Sequence, residues 1–587
     1  MRNIFFVLLL FVFGLETWGQ TPPVITGLEK PNGFPLGTMV ITGSGFDADP
    51  ANLSVWLGGV EANVISSEEN LIAITIPAMA QADNVTVINL ATKKSAKSNI
   101  KAFSSFSGTG FDPVNLDAPV KFTESLQLFD LCACDINRDG KADIAITKFN
   151  APLNSLKVLI NESTPGNINF SAYPTNISIN APTADINCGD LNGDGWPELI
   201  ATKGGSGGID RNAIYIFPNN AGTLGSGIGL FLPAGTVTSE KVAIRDLNFD
   251  GLPELVITNS KTGELFLFKN TSTPTAMSFA KDPQIILLEG KEGSVGLEIQ
   301  DLNDDQRPEI IVTANANFAT DIIVLENTST ADQVRFKQLP PVNIDYLLSE
   351  IITVDFTNDG LLDVAASSLF SNKVVVLINK SSGGTVDFEL PREFDSSGAS
   401  GLSIADLDGD NLIDLLVSDT KGGSVAVFKN TSVAPAFDMQ RIPVPVSNPT
   451  RNVLANDFDG DGKPDIAFTS EGGATFSVEI LRNKHCYIPV LLGDTPLKIC
   501  PGQTIPVKAI PSPGSTFAWS DGSSGTDPFY NMTAAGTISV TVTQEGGTCS
   551  NTSNVITFVD GTGTIPTPPV IPKIGTVCVG GTINLSA

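Results

Sequence analysis

Histidine is almost absent from the sequence: its 587 residues include one, His485, beside Cys486. Ser-His-Asp and Cys-His catalysis, and zinc sites built on imidazole, all need this residue. These classes of enzyme are therefore nearly excluded. Two carboxylates can cleave a glycosidic bond, and a calcium-assisted polysaccharide lyase needs a Lys or Arg base. No acidic pair and no such base stands apart from the repeats described below.

Basic residues are scarce as well. The 35 Lys and Arg residues are outnumbered by 63 Asp and Glu residues, which gives a net charge of −28 and a pI of about 4.3. Nucleic acids and anionic lipids attract clustered Lys and Arg, so neither is the expected partner. The acidic excess fits a solvated surface, and it also fits short carboxylate loops that bind hard cations.

Only one long hydrophobic run is present, Ile4 to Leu15, and it follows Arg2. Together with the small residues up to Gly19, it predicts a secretory signal peptide, residues 1–19, whose cleavage leaves Gln20 as the first residue. An uncleaved anchor is the alternative, although the run is shorter than the ~20 residues that span a bilayer. We expect an exported protein, secreted or at the cell surface, with no later transmembrane segment.

Long helices are not expected either. The 55 Gly and 38 Pro residues predict many turns and short strands, and a chain of this length predicts three to five domains. Seven cysteines permit disulfides in an exported chain but leave one unpaired. Cys132, Cys134 and Cys188 have two alternatives of equal weight: a disulfide between neighbouring strands, or buried free thiols.

The chain has instead an internal repeat. A nine-residue pattern, Asp-apolar-Asn/Asp/Thr-x-Asp-x-x-x-Asp/Glu, occurs seven times, and successive copies begin 51 to 56 residues apart. We number these loops one to seven and their residues as positions 1 to 9. The loops are DINRDGKAD from Asp135, DLNGDGWPE from Asp190, DLNFDGLPE from Asp246, DLNDDQRPE from Asp301, DFTNDGLLD from Asp355, DLDGDNLID from Asp406 and DFDGDGKPD from Asp457.

The segments around each loop repeat too. An apolar run ending in Thr or Ser follows every loop, and a later β-branched run ends in Asn. About four strands per ~50 residues is typical of a propeller blade, so the sequence predicts an all-β fold with a seven-bladed β-propeller. The seventh unit lacks its last strand, which residues 103–122 around Phe111 are expected to supply; a simple linker is the alternative. The repeated asparagines are Asn161, Asn219, Asn270, Asn327, Asn379, Asn430 and Asn483.

Each loop has the residue types of a calcium site. Calcium takes six to eight oxygen ligands, and the side chains at positions 1, 3, 5 and 9 converge with the position-7 carbonyl when position 6 is left-handed. Zinc would need His or Cys, which the loops lack. Asp and Gly also favour plain turns, so polar turns without metal are the alternative. A turn does not need an acid at position 9, however, and all seven loops have one.

The loops and their following strands resemble the FG-GAP/VCBS repeats of integrin-α-like β-propellers over about residues 104–485. The resemblance implies calcium in loops on one face, with five to seven sites. Thr357 replaces a ligand in loop five, and Gln306 and Asn411 replace the glycine of loops four and six, so loops four and five are the most doubtful. Loop seven, which combines the most acidic ligand set with Gly462, is expected to bind tightly. The implied ligands are Asp135, Asn137, Asp139, Asp143, Asp190, Asn192, Asp194, Glu198, Asp246, Asn248, Asp250, Glu254, Asp301, Asn303, Asp305, Glu309, Asp355, Asp359, Asp363, Asp406, Asp408, Asp410, Asp414, Asp457, Asp459, Asp461 and Asp465.

Modules of short strands flank the repeat. Residues 22–103 contain GTMVITGSGF and, later, LGG, and they resemble the IPT/TIG immunoglobulin-like domain. Residues 487–560 resemble the Ig-like or PKD-type repeats of bacterial surface proteins.

In this second module Cys500, Trp519 and Cys549 follow the order of an immunoglobulin core, which implies a Cys500–Cys549 disulfide. Residues 566–587 repeat its beginning, with Cys578, and imply a further Ig-like module that continues past the end of the sequence.

These features predict a calcium-binding, non-catalytic adhesion or recognition protein. Calcium would rigidify the blades, and loops on a propeller face would contact an extracellular glycan or protein. Two alternatives stay open: a calcium-dependent polysaccharide-degrading enzyme, and a surface stalk with no ligand of its own.

Overall fold

A computed structural model describes residues 22–560 except 30–31, 34–36, 78, 81, 105–109, 149–155, 176, 178, 180–181, 204–212, 234–238, 274–275, 317–318, 331–332, 434–435, 473–474, 486–489, 492–496, 500–503, 511–514, 528, 544–549 and 554. The expected signal peptide, Cys486, the Cys500–Cys549 pair and segment 566–587 lie outside the described residues. Within them every regular element is a β-strand, apart from the 3₁₀ turns Pro50–Asn52 and Pro113–Asn115. The all-β expectation is confirmed. In the described part of the chain, no helix is long and apolar enough to cross a membrane.

Eight strands form the first domain. They are β1 (Val24–Glu29), β2 (Asn32–Gly33), β3 (Thr38–Ser44), β4 (Leu53–Leu57), β5 (Val60–Glu68), β6 (Leu71–Thr75), β7 (Asp83–Asn89) and β8 (Lys94–Ser104). Their hydrogen-bonded order is β1-β3-β6-β5-β4-β7-β8-β2, and β1 also contacts β8, so the sheet nearly closes on itself. Alternate residues such as Met39, Ile41, Ile72 and Ile74 are fully buried in one core. This is the alternation of a sandwich-like domain with one face packed inward.

Seven sheets of four or five strands and one two-stranded hairpin, residues 219–220 with 223–224, follow. Their strands are β9 (Val120–Glu124), β10 (Leu128–Cys134), β11 (Asp143–Lys148), β12 (Leu156–Asn161), β13 (Phe170–Ala172), β14 (Thr183–Gly189), β15 (Glu198–Lys203), β16 (Ala213–Phe217), β17 (Asn219–Asn220), β18 (Thr223–Leu224), β19 (Ile228–Phe231), β20 (Ser239–Arg245), β21 (Glu254–Asn259), β22 (Glu264–Phe268), β23 (Gln284–Leu287), β24 (Gly293–Gln300), β25 (Glu309–Ala316), β26 (Ala319–Asn327), β27 (Phe336–Gln338), β28 (Val342–Ile344), β29 (Ile351–Val354), β30 (Asp363–Ser368), β31 (Lys373–Leu377), β32 (Arg392–Asp395), β33 (Ala399–Ala405), β34 (Asp414–Asp419), β35 (Ser424–Asn430), β36 (Met439–Pro445), β37 (Thr450–Asn456), β38 (Asp465–Gly472) and β39 (Thr475–Leu481). The sheets are β10-β11-β12-β13, β14-β15-β16-β19, β20-β21-β22-β23, β24-β25-β26-β27 with β28 beside β26, β29-β30-β31-β32, β33-β34-β35-β36 and β37-β38-β39-β9.

The first strands of these sheets stand side by side around an axis. Each contacts the next, and β37 contacts β10. Seven buried hydrophobic clusters lie between the sheets, one at each interface between neighbours. The sheets therefore form a closed ring, as expected for a β-propeller, and each sheet is one blade.

The ring is closed by β9, which pairs antiparallel with β39, so blade seven takes its outer strand from the N-terminal side. Closure by a segment before loop one is thus confirmed. The strand lies at the end of residues 103–122, however, and not around Phe111. Phe111 is buried between blades six and seven, and its N–H donates to Asp408 at 3.0 Å. We call the β9–β39 junction and its adjoining segments the ring seam.

The Thr or Ser that ends each apolar run has a shared role. Its hydroxyl accepts the N–H of the inner-strand residue five positions before the loop, at 2.7–3.2 Å in all seven blades. In six blades this residue lies where the register between first and second strands shifts, as in a β-bulge. Five of the seven inner-strand residues, Asp130, Asp185, Lys241, Glu350 and Asn452, line the axial cavity described below.

A last domain has a core of its own, in which Trp519 is 6% exposed and its ring centre lies 5.1 Å from that of Tyr530. Its strands are β40 (Val490–Leu491), β41 (Leu497–Ile499), β42 (Ile505–Ile510), β43 (Thr516–Trp519), β44 (Ser524–Gly525), β45 (Phe529–Met532), β46 (Gly536–Ile538), β47 (Val540–Thr543), β48 (Ser550–Thr552) and β49 (Ile556–Asp560).

Candidate metal centres

All seven loops share one hydrogen-bond pattern. The position-1 carboxylate accepts the N–H of position 6 at 2.6–3.0 Å. The position-5 carboxylate accepts the N–H of position 7 at 2.8–3.1 Å. The position-9 carboxylate accepts the N–H of position 2 at 2.8–3.0 Å. The backbone therefore fixes three carboxylates in every loop, including the loops whose sequences depart from the pattern.

Two residues of each loop have the left-handed conformation. Position 6 has φ between +66° and +91° in all seven loops, and position 4 has φ between +56° and +75°. Gln306 at position 6 of loop four was expected to fit poorly, because a side chain in this region costs about 1–2 kcal/mol. Its N–H nevertheless donates to Asp301 at 2.6 Å, as the glycines do elsewhere, so loop four keeps the common shape.

The repeated asparagine, which ends the third strand of each blade or lies two residues after it, links neighbouring blades. Its side-chain amide donates to the position-2 carbonyl of the preceding blade's loop at 2.8–3.2 Å in all seven blades. In five blades its own N–H donates to the position-9 carboxylate. Each of these asparagines is at most 2% exposed. We call this contact the Asn staple; the sevenfold recurrence of Asn was its signal in the sequence.

Loops six and seven bring three carboxylates together. The oxygens of positions 1, 3 and 9 lie within 4.8 Å of one another, an arrangement that can hold a metal ion. Burial first, and the neighbouring carboxylates second, raise the pKa of Asp414, Asp457 and Asp465 well above its ordinary value. A cation would offset both effects. The clusters are Asp406, Asp408 and Asp414 in loop six, and Asp457, Asp459 and Asp465 in loop seven.

Loops one to five have an amide or hydroxyl at position 3. In the first four the Asn oxygen accepts the N–H of position 5 at 2.9–3.0 Å. In loop five the hydroxyl of Thr357 donates to Asp355 at 3.4 Å. Burial raises the pKa of Asp143 to about 8 and that of Glu254 to about 9. The residues fit a hard cation such as calcium, because every donor that the loops offer is a carboxylate, amide, hydroxyl or carbonyl oxygen.

The N-terminal domain lies on the loop face of the propeller. The carbonyl of Gly59 accepts the N–H of Asp135 in loop one at 2.7 Å. The N–H of Ser95 donates to the carbonyl of Gly251 in loop three at 2.8 Å, and the Asn99 amide donates to Asp301 in loop four at 2.7 Å. Met79 packs in one cluster with Phe458 of loop seven. This domain therefore contacts at least four of the seven loops.

Arg138, at position 4 of loop one, makes a charged interdomain contact. Its guanidinium pairs with Glu61 through Nε at 2.9 Å and through Nη2. The same group lies 5.9 Å from the ring centre of Trp56 and 5.0 Å from that of Trp196. The cation is thus held by a carboxylate and two indole rings, which stabilises the docked arrangement.

A cavity of about 740 Å³ lies between the N-terminal domain and the inner strands. Lys241 crosses the axis within it, and its Nζ lies 3.3 Å from Asp130, 2.9 Å from Asp185 and 2.9 Å from Glu350. Burial opposes the charge of Lys241, but the three carboxylates outweigh it and hold its pKa well above the usual value. This ion cluster connects blades one, two, three and five across the axis.

Cys132, Cys134 and Cys188 also line the cavity, and all three are free thiols. Of the two alternatives left by the sequence, the structure therefore has unbridged cysteines. Hydrogen bonds from Cys132 and Cys134 lower the pKa of Cys188 to about 5.

Comparison with known families agrees with this architecture. Residues 135–201, 190–257, 355–417 and 406–468 match the FG-GAP-like repeat, and residues 23–105 match the IPT/TIG domain. The chain contains FG-GAP-like repeats and an IPT/TIG domain. The repeat matches include six of the loops, and loop four, with Gln306 at position 6, lies outside them.

Several solved structures resemble the chain. An auxiliary nutrient binding protein from Bacteroides thetaiotaomicron is 12% identical, with a TM-score of 0.33, and covers 79% of this chain and 98% of its own. One of the same description from Bacteroides ovatus is 14% identical, with a TM-score of 0.33 and coverages of 79% and 99%. The exotype rhamnogalacturonan lyase YesX is 13% identical, with a TM-score of 0.35 and coverages of 79% and 91%. Comparison with curated proteins gives no match.

Proposed function

We propose that this chain is a calcium-binding β-propeller protein that acts as a non-catalytic recognition module for an extracellular glycan or protein. The observation that carries the metal part is the common loop geometry. In all seven loops, backbone hydrogen bonds hold carboxylates at positions 1, 5 and 9. Such oxygen-rich loops suit calcium more than zinc.

The IPT/TIG domain directs recognition to the other face of the ring. Because this domain lies on the loop face, a large partner has better access to the opposite face, where the second and third strands of each blade are joined. Calcium would then act at a distance from the ligand by keeping the blades rigid. The single histidine of the sequence supports a role without catalysis, because histidine-dependent hydrolysis has almost no residue to rest on.

The proposed domain order follows the expected boundaries. Residues 1–19 serve as the signal peptide, 22–103 as the IPT/TIG domain and 104–485 as the propeller. Residues 487–560 form an Ig-like domain, and 566–587 begin another. We place the protein outside the cell, secreted or at the surface.

Calcium binding is tested by equilibrium dialysis of the purified chain with metal analysis, together with thermal unfolding in calcium and in chelator. At calcium 100-fold above Kd, each site stabilises the fold by about 2.7 kcal/mol, so the chelator should lower Tm by many degrees. Asp190→Asn should remove one bound calcium, whereas Asp282→Asn, at an exposed aspartate, should remove none. No bound calcium and an unchanged Tm in chelator would refute the metal part.

Recognition and catalysis are separated by two further measurements. Glycan-array binding that depends on calcium supports the proposal, and absence of binding with and without calcium favours the ligand-free stalk. Release of reducing or unsaturated ends from a polysaccharide panel would show the enzyme instead.

A further inference from the structure

At the four ligand positions 1, 3, 5 and 9, loops six and seven carry one more carboxylate than the other loops. Position 3 is Asp408 in loop six and Asp459 in loop seven, where the remaining loops have Asn or Thr. Both aspartates are 0% exposed. A fourth negative charge inside a buried loop is strongly unfavourable unless a positive charge accompanies it.

The chain itself supplies that positive charge. The Nζ of Lys429 contacts Asp408 and lies 3.3 Å from Asp410. The Nε of Arg482 lies 2.5 Å from Asp459, and its Nη2 lies 2.9 Å from Asp461. Lys429 and Arg482 occupy the same place in their blades, immediately before the asparagine of the Asn staple.

The other loops lack this arrangement. The residue before the Asn is uncharged in blades one, two and five and acidic in blade four. Blade three has Lys269, whose side chain is 39% exposed and whose Nζ is 3.7 Å from Asp250 at position 5. Its position 3 is Asn248, so no extra carboxylate needs a partner there. The acid at position 3 and the closely paired base thus occur together, in two loops out of seven.

Both pairs hold segments at the ring seam. Asp408 also accepts the N–H of Phe111, which precedes the closing strand β9. Asp459 accepts the N–H of Gly166 from blade one at 2.9 Å. Arg482 is joined to the seam directly, because its carbonyl accepts the N–H of Asp117 at 2.9 Å. A metal ion bound at the ring seam can dissociate into solution. Lys429 and Arg482 stay covalently attached to the chain, so their positive charge remains beside the seam.

We propose that Lys429 and Arg482 are built-in counter-ions, so that loops six and seven keep the seam closed without calcium while the remaining loops provide the calcium response. This inference rests on the proposed function, because it assumes that loops one to five bind calcium and states that loops six and seven do not need it. It also reverses the expectation that loop seven, with its four aspartates and Gly462, binds calcium tightly.

The test measures bound calcium per chain and Tm, in chelator and in millimolar calcium, for the full chain and for Lys429→Met and Arg482→Met. Lys269→Met is the matched control from loop three. Without calcium, Lys429→Met and Arg482→Met should each lower Tm by about 3–6 °C, because a buried pair is broken. Calcium should then restore most of this loss, and each variant should bind one calcium more than the wild type. Lys429→Gln, which keeps a polar side chain, is measured beside them in case the Met variant misfolds.

The outcomes separate the two proposals. If the wild type binds calcium, and neither variant binds more nor recovers its Tm, the counter-ion role is wrong and the proposed function stands. If the wild type binds none but Lys429→Met binds one, the counter-ion role stands and calcium binding by the natural chain is refuted. If Lys269→Met behaves like Lys429→Met, the role is not specific to the two acidic loops and the inference is overturned.

Discussion

Replacing Asn379 by alanine removes the Asn staple between blades four and five. Asn379 is 1% exposed, and its amide donates to the carbonyls of Leu302 and Leu362 at 2.8 and 2.9 Å. Its side-chain oxygen accepts the N–H of Ser381 at 2.8 Å. The Ser381 hydroxyl donates to the same oxygen, so alanine would leave two carbonyls, one N–H and one hydroxyl without this partner.

The expected loss of stability follows from these four groups. A buried polar group that loses its partner costs about 1–3 kcal/mol, and because neighbours relax we expect a total of about 3 kcal/mol. Residues 120–481 make up the propeller. At an unfolding entropy of about 2 cal/mol/K per residue, such a loss lowers the Tm of the propeller by about 4 °C.

Scanning calorimetry of the full chain measures this shift, with Asn343→Ala as the control. Asn343 is an exposed asparagine on β28, so its replacement should change Tm by less than about 1 °C. Asn379→Asp keeps the size of the side chain but loses both donors, and it should lower Tm at least as much as alanine does. A Tm for Asn379→Ala within 1 °C of wild type would refute the reasoning about the staple.

Three further perturbations test other contacts. Burial lowers the pKa of His485 below 6.5; since the unfolded chain then binds the proton more readily, stability should fall as pH drops below 6.5, and NMR should show an imidazole midpoint under that value. Lys241→Met leaves the buried carboxylates of Asp130 and Asp185, and the partly buried one of Glu350, without their cation and should cost about 3–5 kcal/mol at neutral pH. Because burial already raises the pKa of Asp185, this loss should shrink in acid, as denaturant titrations at two pH values will show. Arg138→Ala should loosen the IPT/TIG domain, so that limited proteolysis frees it faster without lowering the Tm of the propeller.

The ring of blades could be predicted from the sequence because each blade repeats the same pattern of loop and strand residues. The Thr or Ser after each apolar run and the Asn after each third strand recur seven times, and both prove to be hydrogen-bonding positions. Their roles could not be predicted, since each partner lies on another strand or another blade. Position 4 shows that even a local backbone conformation could not always be predicted from the sequence. Gly193, Gly409 and Gly460 signal a left-handed residue, but Arg138 and Phe249 adopt the same conformation without any such signal.

The docking of the IPT/TIG domain onto the propeller could not be predicted from the sequence, for a different reason. Its contacts join single residues from two non-repeating surfaces, such as Glu61 with Arg138 and Asn99 with Asp301. No periodicity marks such pairs. The role of the counter-ions could not be predicted either. The sequence places Lys429 and Arg482 just before the repeated Asn, but only the fold shows that they contact Asp408 and Asp459.

Because every Asn staple points back to the preceding blade, the seven links form a cycle without a beginning. Linear repeat arrays have two unmatched ends and need capping units. Here the Asn161 amide of blade one donates to the Phe458 carbonyl of blade seven, so no end is left unmatched. The place where the polypeptide starts is therefore incidental to the architecture. Val120 pairs with Ile480, so the two ends of the propeller already lie on adjacent strands. A short linker between them, with new termini cut between any two blades, would give a circular permutant that keeps all seven links.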